Sequence, residues 1–148
     1  MLLTPARKLV AALWAGSLWT VGYLVAPALF ATLSDRVLAG TIAAGMFRRE
    51  AWLSVACALL LLVLLQWGAR EVEPKRRRGL MLIVLAMLSC TLVTQFWIGP
   101  LMSAMREAAG PAGVMASKQG ARFGMLHGVS SVIYLVQSVL AGILVARQ

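Results

Sequence analysis

Polar residues and glycines recur at helical spacing along the last apolar stretch of the sequence. Counted at 100° per residue, seven of them fall within an arc about 80° wide: Gly120, Gly124, His127, Ser131, Tyr134, Ser138 and Gly142. His127 is the only histidine, and an ionisable group inside a membrane is a candidate functional residue. Its imidazole could titrate near neutral pH, relay a proton or bind a metal. In the alternative, structural role, the neutral ring is hydrogen-bonded to a neighbouring helix.

Other polar residues are expected at the depth of His127. Tyr23 precedes Pro27, which removes a backbone donor and should kink the first helix, and Gln95 lies a little more than one turn before Gly99. We therefore predict a polar pocket in the outer half of a helical bundle, surrounded by a charged rim. The predicted lining is Tyr23, Pro27, Gln95, His127, Ser130, Ser131 and Tyr134, and the predicted rim is Asp35, Glu50, Arg106 and Arg122.

A metal or haem site is a second interpretation of this region. Imidazole nitrogen and thioether sulfur suit copper(I), and we expect Met102 and Met105 within reach of His127. Haem could use His127 with a methionine or Tyr23 as its axial ligands. However, the sequence holds one histidine and no Cys-x-x-Cys pair, and methionine commonly fills irregular helix packing. The sequence therefore predicts no cofactor, with haem or copper as the alternative.

Catalytic and disulfide chemistry have weak support. Ser130 or Ser131 beside His127 lacks a third triad member, because the one aspartate, Asp35, is expected at the rim. The two cysteines lie in different apolar stretches, at depths that differ by more than a turn, and are expected to be unpaired buried residues. We therefore predict a protein that is not an enzyme.

The composition identifies the environment of the chain. Of 148 residues, 61% are hydrophobic and 13% charged, against about 45–50% and about 25% in an ordinary soluble domain. This length suits one domain, residues 1–148, and its apolar surface would be accepted by lipid rather than water. The net charge of +9 comes from basic residues between apolar stretches, where they set orientation and meet lipid headgroups. We predict an integral membrane protein without a nucleic-acid partner.

Four apolar stretches, at about residues 9–33, 51–69, 80–103 and 123–146, are long enough to be spans. About 20 helical residues cross a hydrocarbon core about 30 Å thick, and helices satisfy their backbone groups internally. The first stretch exceeds the ~7–15 residues of a signal-peptide core, which predicts a retained span. The sequence predicts an all-α integral membrane four-helix bundle, with short extracytoplasmic helices in the first-to-second and third-to-fourth connections.

The basic tract at residues 75–78 is the densest in the chain. Lys and Arg near span ends favour the cytoplasmic side. With four spans, both termini then lie on that side. We predict a multi-pass inner-membrane protein with both termini cytoplasmic.

A small-residue repeat at Gly120, Gly124 and Gly128 opens the fourth span. This small-xxx-small pattern lets helix backbones approach closely. It predicts helix packing within the bundle, or alternatively self-association or docking to a larger membrane complex.

Three segments, residues 22–30, 39–47 and 122–130, resemble the transmembrane-protein-205-like family, known in bacteria as domain-of-unknown-function 4149 membrane proteins. The most specific part is a Phe-x-x-x-His-x-x-Ser run at Phe123, His127 and Ser130. The resemblance implies a four-span helical membrane protein without an established reaction. The family is distantly similar to copper-resistance membrane proteins and to a haem-pathway membrane oxidase, which implies metal or haem chemistry as an alternative.

Three functional hypotheses follow. The first is a non-enzymatic inner-membrane protein that binds or passes a small ligand or cation through the outer-half pocket, with His127 at its centre. The second is a redox or metal-tolerance protein that carries haem or copper. The third is a structural subunit, whose partners are the lipid bilayer and either a second copy or a larger membrane complex.

Overall fold

Four long helices form a bundle in the computed structural model, which describes residues 3–69 and 71–148. The helices are Leu3–Thr32, Arg36–Trp67, Pro74–Ala112 and Gly120–Ala146, each long and apolar enough to cross a membrane. No strand occurs in these described ranges. Each helix packs against its sequence neighbours, and the fourth also packs against the first, which closes the ring. The predicted all-α four-helix membrane bundle is confirmed.

Capping side chains fix where the second and third helices begin. Asp35 accepts hydrogen bonds from the backbone N–H groups two and three residues later, at 2.9 and 3.0 Å. Glu73 does the same at 3.1 and 3.0 Å, ahead of Pro74 at the first helical position. Because the second helix is continuous from residue 36, the first connection is a helical extension of the second span. The third helix ends in a 3₁₀ turn, Gly110–Ala112, and a second 3₁₀ segment, Val114–Ala116, lies in the last connection.

The first and third helices each contain a π-helical segment just before a proline. Thr20–Val25 precedes Pro27, and Val93–Ile98 precedes Pro100. In both, the residue directly before the proline donates its N–H to the carbonyl five residues earlier. A helical proline lacks an N–H and clashes with the carbonyl four residues back, and a π turn is one way to absorb both effects. The disturbance predicted at Pro27 thus takes the form of a π turn.

Apolar side chains fill the bundle and also cover its outside. The main core includes Trp14, Leu18, Leu61, Leu65 and Met87, all fully buried. The second helix is more buried than the other three. Within the most apolar 18 residues of each helix, 44% are buried in the second and 22% in each of the first, third and fourth. The remaining apolar side chains point outward, where lipid would contact them. The second helix is therefore the best placed of the four to hold a polar group away from lipid.

A buried polar pair joins the third and fourth helices. Gln137 Nε2 donates to Thr91 Oγ1 at 2.8 Å, and both residues are 2% exposed. Hydrogen bonds of this kind link helices in membranes, where water cannot compete for the same groups.

Candidate functional site

His127 lies on the outer surface of the bundle. Its side chain is exposed, and its ring stacks on Phe123 one turn earlier, with centroids 6.3 Å apart and planes 3° apart. Gly124, Gly128 and Ser131 on the same side of the helix are exposed as well. The prediction that this polar stripe faces the bundle is therefore wrong for the half of the helix around His127.

The rotation of the fourth helix about its axis explains the error. The covered side of this helix carries Phe123, Ser130, Gln137, Ala141 and Leu144. At 100° per residue, the centre of that side is about 80° away from the predicted stripe. Tyr134 and Ser138, which belong to the stripe, are still covered by neighbouring helices, whereas His127 projects from the flank.

The predicted pocket is brought together only in part. The rings of Tyr23 and Tyr134 meet edge to face, with centroids 6.3 Å apart. Tyr23 is nevertheless 51% exposed, Pro27 is exposed and Gln95 is half-buried. Two surface depressions of about 160 and 470 Å³ lie elsewhere, and none of the predicted lining residues borders them. The outer-half pocket stays a prediction.

The four predicted rim residues have different surroundings. Asp35 caps the second helix, and Arg122 is exposed. The guanidinium carbon of half-buried Arg106 lies 5.1 Å from the ring centroid of Phe123, within cation–π range. Glu50 is only 6% exposed. Glu50 therefore lies inside the bundle, and its placement at a rim is wrong.

The predicted metal ligands differ in burial. Met102 and Met105 are 7% and 6% exposed and pack in an apolar cluster with Phe123, whereas His127 is exposed beside that cluster. Within the described ranges, no group of three or more His, Cys, Asp or Glu residues could hold a metal ion. Cys57 and Cys90 are unpaired thiols. Copper or haem at His127, Met102 and Met105 stays a prediction.

A chain of hydrogen bonds joins Trp14, Ser54 and Glu50 inside the bundle. Trp14 Nε1 donates to Ser54 Oγ at 2.7 Å, and Ser54 Oγ donates to Glu50 Oε1 at 2.6 Å. The direction of the Trp14–Ser54 bond is fixed, because an indole N–H can only donate. Trp14 and Ser54 are 0% exposed. Among the described residues, no Lys, Arg or His pairs with Glu50, so the carboxyl is held without a countercharge.

Aromatic rings from three helices meet beside the turn that carries Glu50. The Tyr134 ring packs edge to face on Phe47, one turn before Glu50, with centroids 5.3 Å apart. The Tyr134 hydroxyl donates to the carbonyl of Leu18 at 2.7 Å. A Cβ added at Gly22, within the π turn, would collide with the same ring. The missing side chain at Gly22 thus lets the first helix approach the fourth closely at this level.

A periodic signal in the second helix could have located Glu50. Ala43, Glu50, Ser54, Cys57 and Leu61 are all buried, at spacings of seven, four, three and four residues, which place them on one helix face. Arg48 and Arg49, which directly precede Glu50, are exposed. They obscured this signal, because charged residues usually mark the end of a span.

Comparisons with known proteins identify the family but not the activity. No curated protein and no solved structure matches the chain. The family described as domain of unknown function DUF4149 matches residues 9–111. This range covers most of the first helix, the whole second helix with the buried carboxyl, and nearly all of the third helix. The part of the resemblance that names the transmembrane-protein-205-like family stays a prediction. Since the match covers more than half of the chain, this protein belongs to the DUF4149 family.

Proposed function

We propose that this protein binds and releases a proton at Glu50 within a small multi-pass membrane bundle. The observation that carries the proposal is a carboxyl group that is 6% exposed in a span-length helix and accepts a hydrogen bond from Ser54. Among the described residues it has no cationic partner. An ionised carboxylate is costly in such surroundings, and intramembrane acids commonly serve proton relays or ion paths.

The available ligands favour a proton over a metal cation. Hard metal ions take six or more oxygen ligands, and soft ions need several nitrogen or sulfur ligands. The hydrogen-bonded unit offers one carboxyl and one hydroxyl, and a proton needs one carboxyl. In this proposal, Ser54 and Trp14 position the carboxyl, and Glu50 carries the proton.

The surroundings of Glu50 support exchange toward one side of the bundle. Phe47 and Tyr134 pack beside the turn that carries Glu50, and Tyr23, which touches Tyr134, is half exposed. We propose that the proton leaves the carboxyl along this aromatic side. The basic tract at residues 75–78 lies at the same end of the bundle as both termini. It supports placement of that end on the cytoplasmic side of an inner membrane. The cation-binding hypothesis is thus kept, and its centre moves from His127 to Glu50.

Infrared spectroscopy of the purified protein tests the protonation state directly. We expect the carbonyl stretch of a protonated carboxylic acid in the native protein near neutral pH, because burial without a countercharge favours the neutral acid. Glu50→Gln should remove this band. Glu107→Gln, which removes an exposed acid of the third helix, should leave it unchanged.

The pH dependence of the same band tests release of the proton. In native protein and in Glu107→Gln, the carboxylic acid band should give way to carboxylate bands as the pH is raised, and Glu50→Gln should show no such change. A carboxylic acid band that survives in Glu50→Gln, or a native band that stays constant up to the pH at which the protein unfolds, would contradict the proposal.

The metal-binding hypothesis and the structural hypothesis each have a separate test. If the protein binds copper, the purified protein should contain stoichiometric metal, and if it binds haem it should show a Soret band. Either signal should be lost in His127→Ala. A structural role predicts association through Gly124 and Gly128, where open space leaves room for a second helix, whereas Gly120 is buried against the backbone of Met115. Crosslinking that is unchanged in Gly124→Ile would argue against that role.

A further inference from the structure

A basic cleft lies at the end of the bundle where the third helix begins and the fourth ends. It is a depression of about 470 Å³ lined by Glu73, Lys75, Arg76, Gly79 and Arg147. Three of the five lining side chains are cationic and one is acidic. The cleft is separate from the Glu50 site and does not depend on the proposed proton chemistry.

The acidic member of the cleft is engaged by the backbone. Both carboxylate oxygens of Glu73 accept backbone N–H groups of the first helical turn, at 3.1 and 3.0 Å. This cap is part of the helix end and leaves the cationic side chains as the groups that can meet a ligand. The electrostatic character of the cleft is therefore that of an anion site.

One of the cationic side chains is held in place by hydrogen bonds. Arg76 donates from Nε and Nη2 to the carbonyl of Arg147, at 3.1 and 2.9 Å, and from Nη2 to the carbonyl of Gln148 at 3.0 Å. A Cβ added at Gly79 would lie 4.0 Å from Arg147 Nη1, so the side chain of Arg147 reaches back over the glycine. Arg76 thereby links the start of the third helix to the end of the fourth, and the cleft lies between these two helix ends.

The position of the cleft along the helices matches the headgroup layer of a membrane. Gly79 directly precedes Leu80, which is 2% exposed and belongs to the apolar core, and Arg147 directly follows the last helical residue, Ala146. Basic pockets between helix ends at this level bind the phosphates of anionic lipids, and arginine matches phosphate geometry particularly well.

We propose that the basic cleft binds the phosphate headgroup of an anionic phospholipid. Lys75 and Arg147 are the contacting cations. Arg76 holds the cleft open through its carbonyl contacts. The proposal does not depend on which side of the membrane this end faces, since anionic lipid in either leaflet offers the same phosphate.

Native mass spectrometry in detergent tests retention of a defined lipid. Purified protein is mixed with phosphatidylglycerol or phosphatidylcholine, and the lipid-bound fraction is measured. Lys75→Gln/Arg147→Gln should lower phosphatidylglycerol retention at least tenfold, because each cation near a headgroup contributes about 1 kcal/mol, or about fivefold. The matched control is Lys8→Gln/Arg78→Gln, which removes two exposed charges from the same end. It should lower retention by a clearly smaller factor, because these two charges lie outside the cleft.

Three outcomes would overturn the proposal. Equal losses in the two double variants would show diffuse attraction in place of a site. Equal retention of phosphatidylcholine would show that the headgroup charge is irrelevant. Displacement of phosphatidylglycerol by an equal concentration of inorganic phosphate would identify free phosphate as the ligand. A thermal melt of each variant checks that folding is intact, and Lys75→Gln alone serves if the double variant melts early.

Discussion

The hydroxyl of Ser54 donates a 2.6 Å hydrogen bond to the carboxyl of Glu50, one turn earlier in the second helix. A helical serine often bonds the backbone carbonyl four residues back, as Ser89 does at 2.9 Å. Ser54 bonds a side chain instead and also accepts the indole N–H of Trp14 from the first helix. The three residues therefore form one unit that links two helices.

Glu50→Gln and Glu50→Ala should differ in stability. The amide oxygen of glutamine can still accept the Ser54 hydroxyl, so we expect a smaller loss of unfolding free energy than for alanine, below about 1 kcal/mol. Alanine leaves the buried hydroxyl without its acceptor, which costs about 1–3 kcal/mol. Denaturation in mixed detergent micelles measures both. Equal losses would show that the hydrogen bond is unimportant.

Ser54→Ala should destabilise the bundle by about 1–3 kcal/mol, because it leaves both the Trp14 N–H and a Glu50 oxygen unpaired. Ser89→Ala is the control, since Ser89 is exposed and bonds its own helix, and it should cost less than about 0.5 kcal/mol. A double-mutant cycle of Ser54→Ala with Trp14→Phe should give a coupling of about 0.6 kcal/mol, at most ~1.7. Zero coupling would mean that the two side chains do not interact in the folded protein.

Glycine-to-alanine substitutions should change stability differently in two parts of the bundle. Gly22→Ala would push a methyl group into the Tyr134 ring and should cost about 1–3 kcal/mol. Gly124→Ala and Gly128→Ala add a methyl group to open space and should be neutral or stabilise the helix by about 0.5–1 kcal/mol each. Thermal melts of the purified protein decide this. A large loss at Gly124 or Gly128 would reveal packing in an assembly, which crosslinking would then locate.

His127→Ala should leave proton exchange and thermal stability nearly unchanged, because the imidazole is exposed and stacks only along its own helix through Phe123. Exposed substitutions usually change stability by less than about 0.5 kcal/mol. The same samples are assayed for metal content and visible absorption. Loss of bound copper or of a Soret band in this variant would favour the redox hypothesis over Glu50 chemistry.

Local rules were enough to predict the helices. Apolar stretches of span length must be helical in lipid, because each segment has to satisfy its own backbone hydrogen bonds. The disturbance at Pro27 was predictable for a similarly local reason, the missing N–H. Its π-helical form was not predicted, although residues 23–27 and 96–100 share one pattern: an aromatic, a large apolar, a β-branched, a small residue and a proline.

What the sequence by itself determined is therefore the class of protein, the four helices and the residues that share each helix face. Only the tertiary structure decided that Glu50 is covered and His127 is not. Periodicity fixes the angles between side chains on a helix, but the rotation of that helix depends on its packing with the other three. In a soluble bundle a polar outer face reveals this rotation. In a membrane bundle both faces are apolar, so that signal is missing.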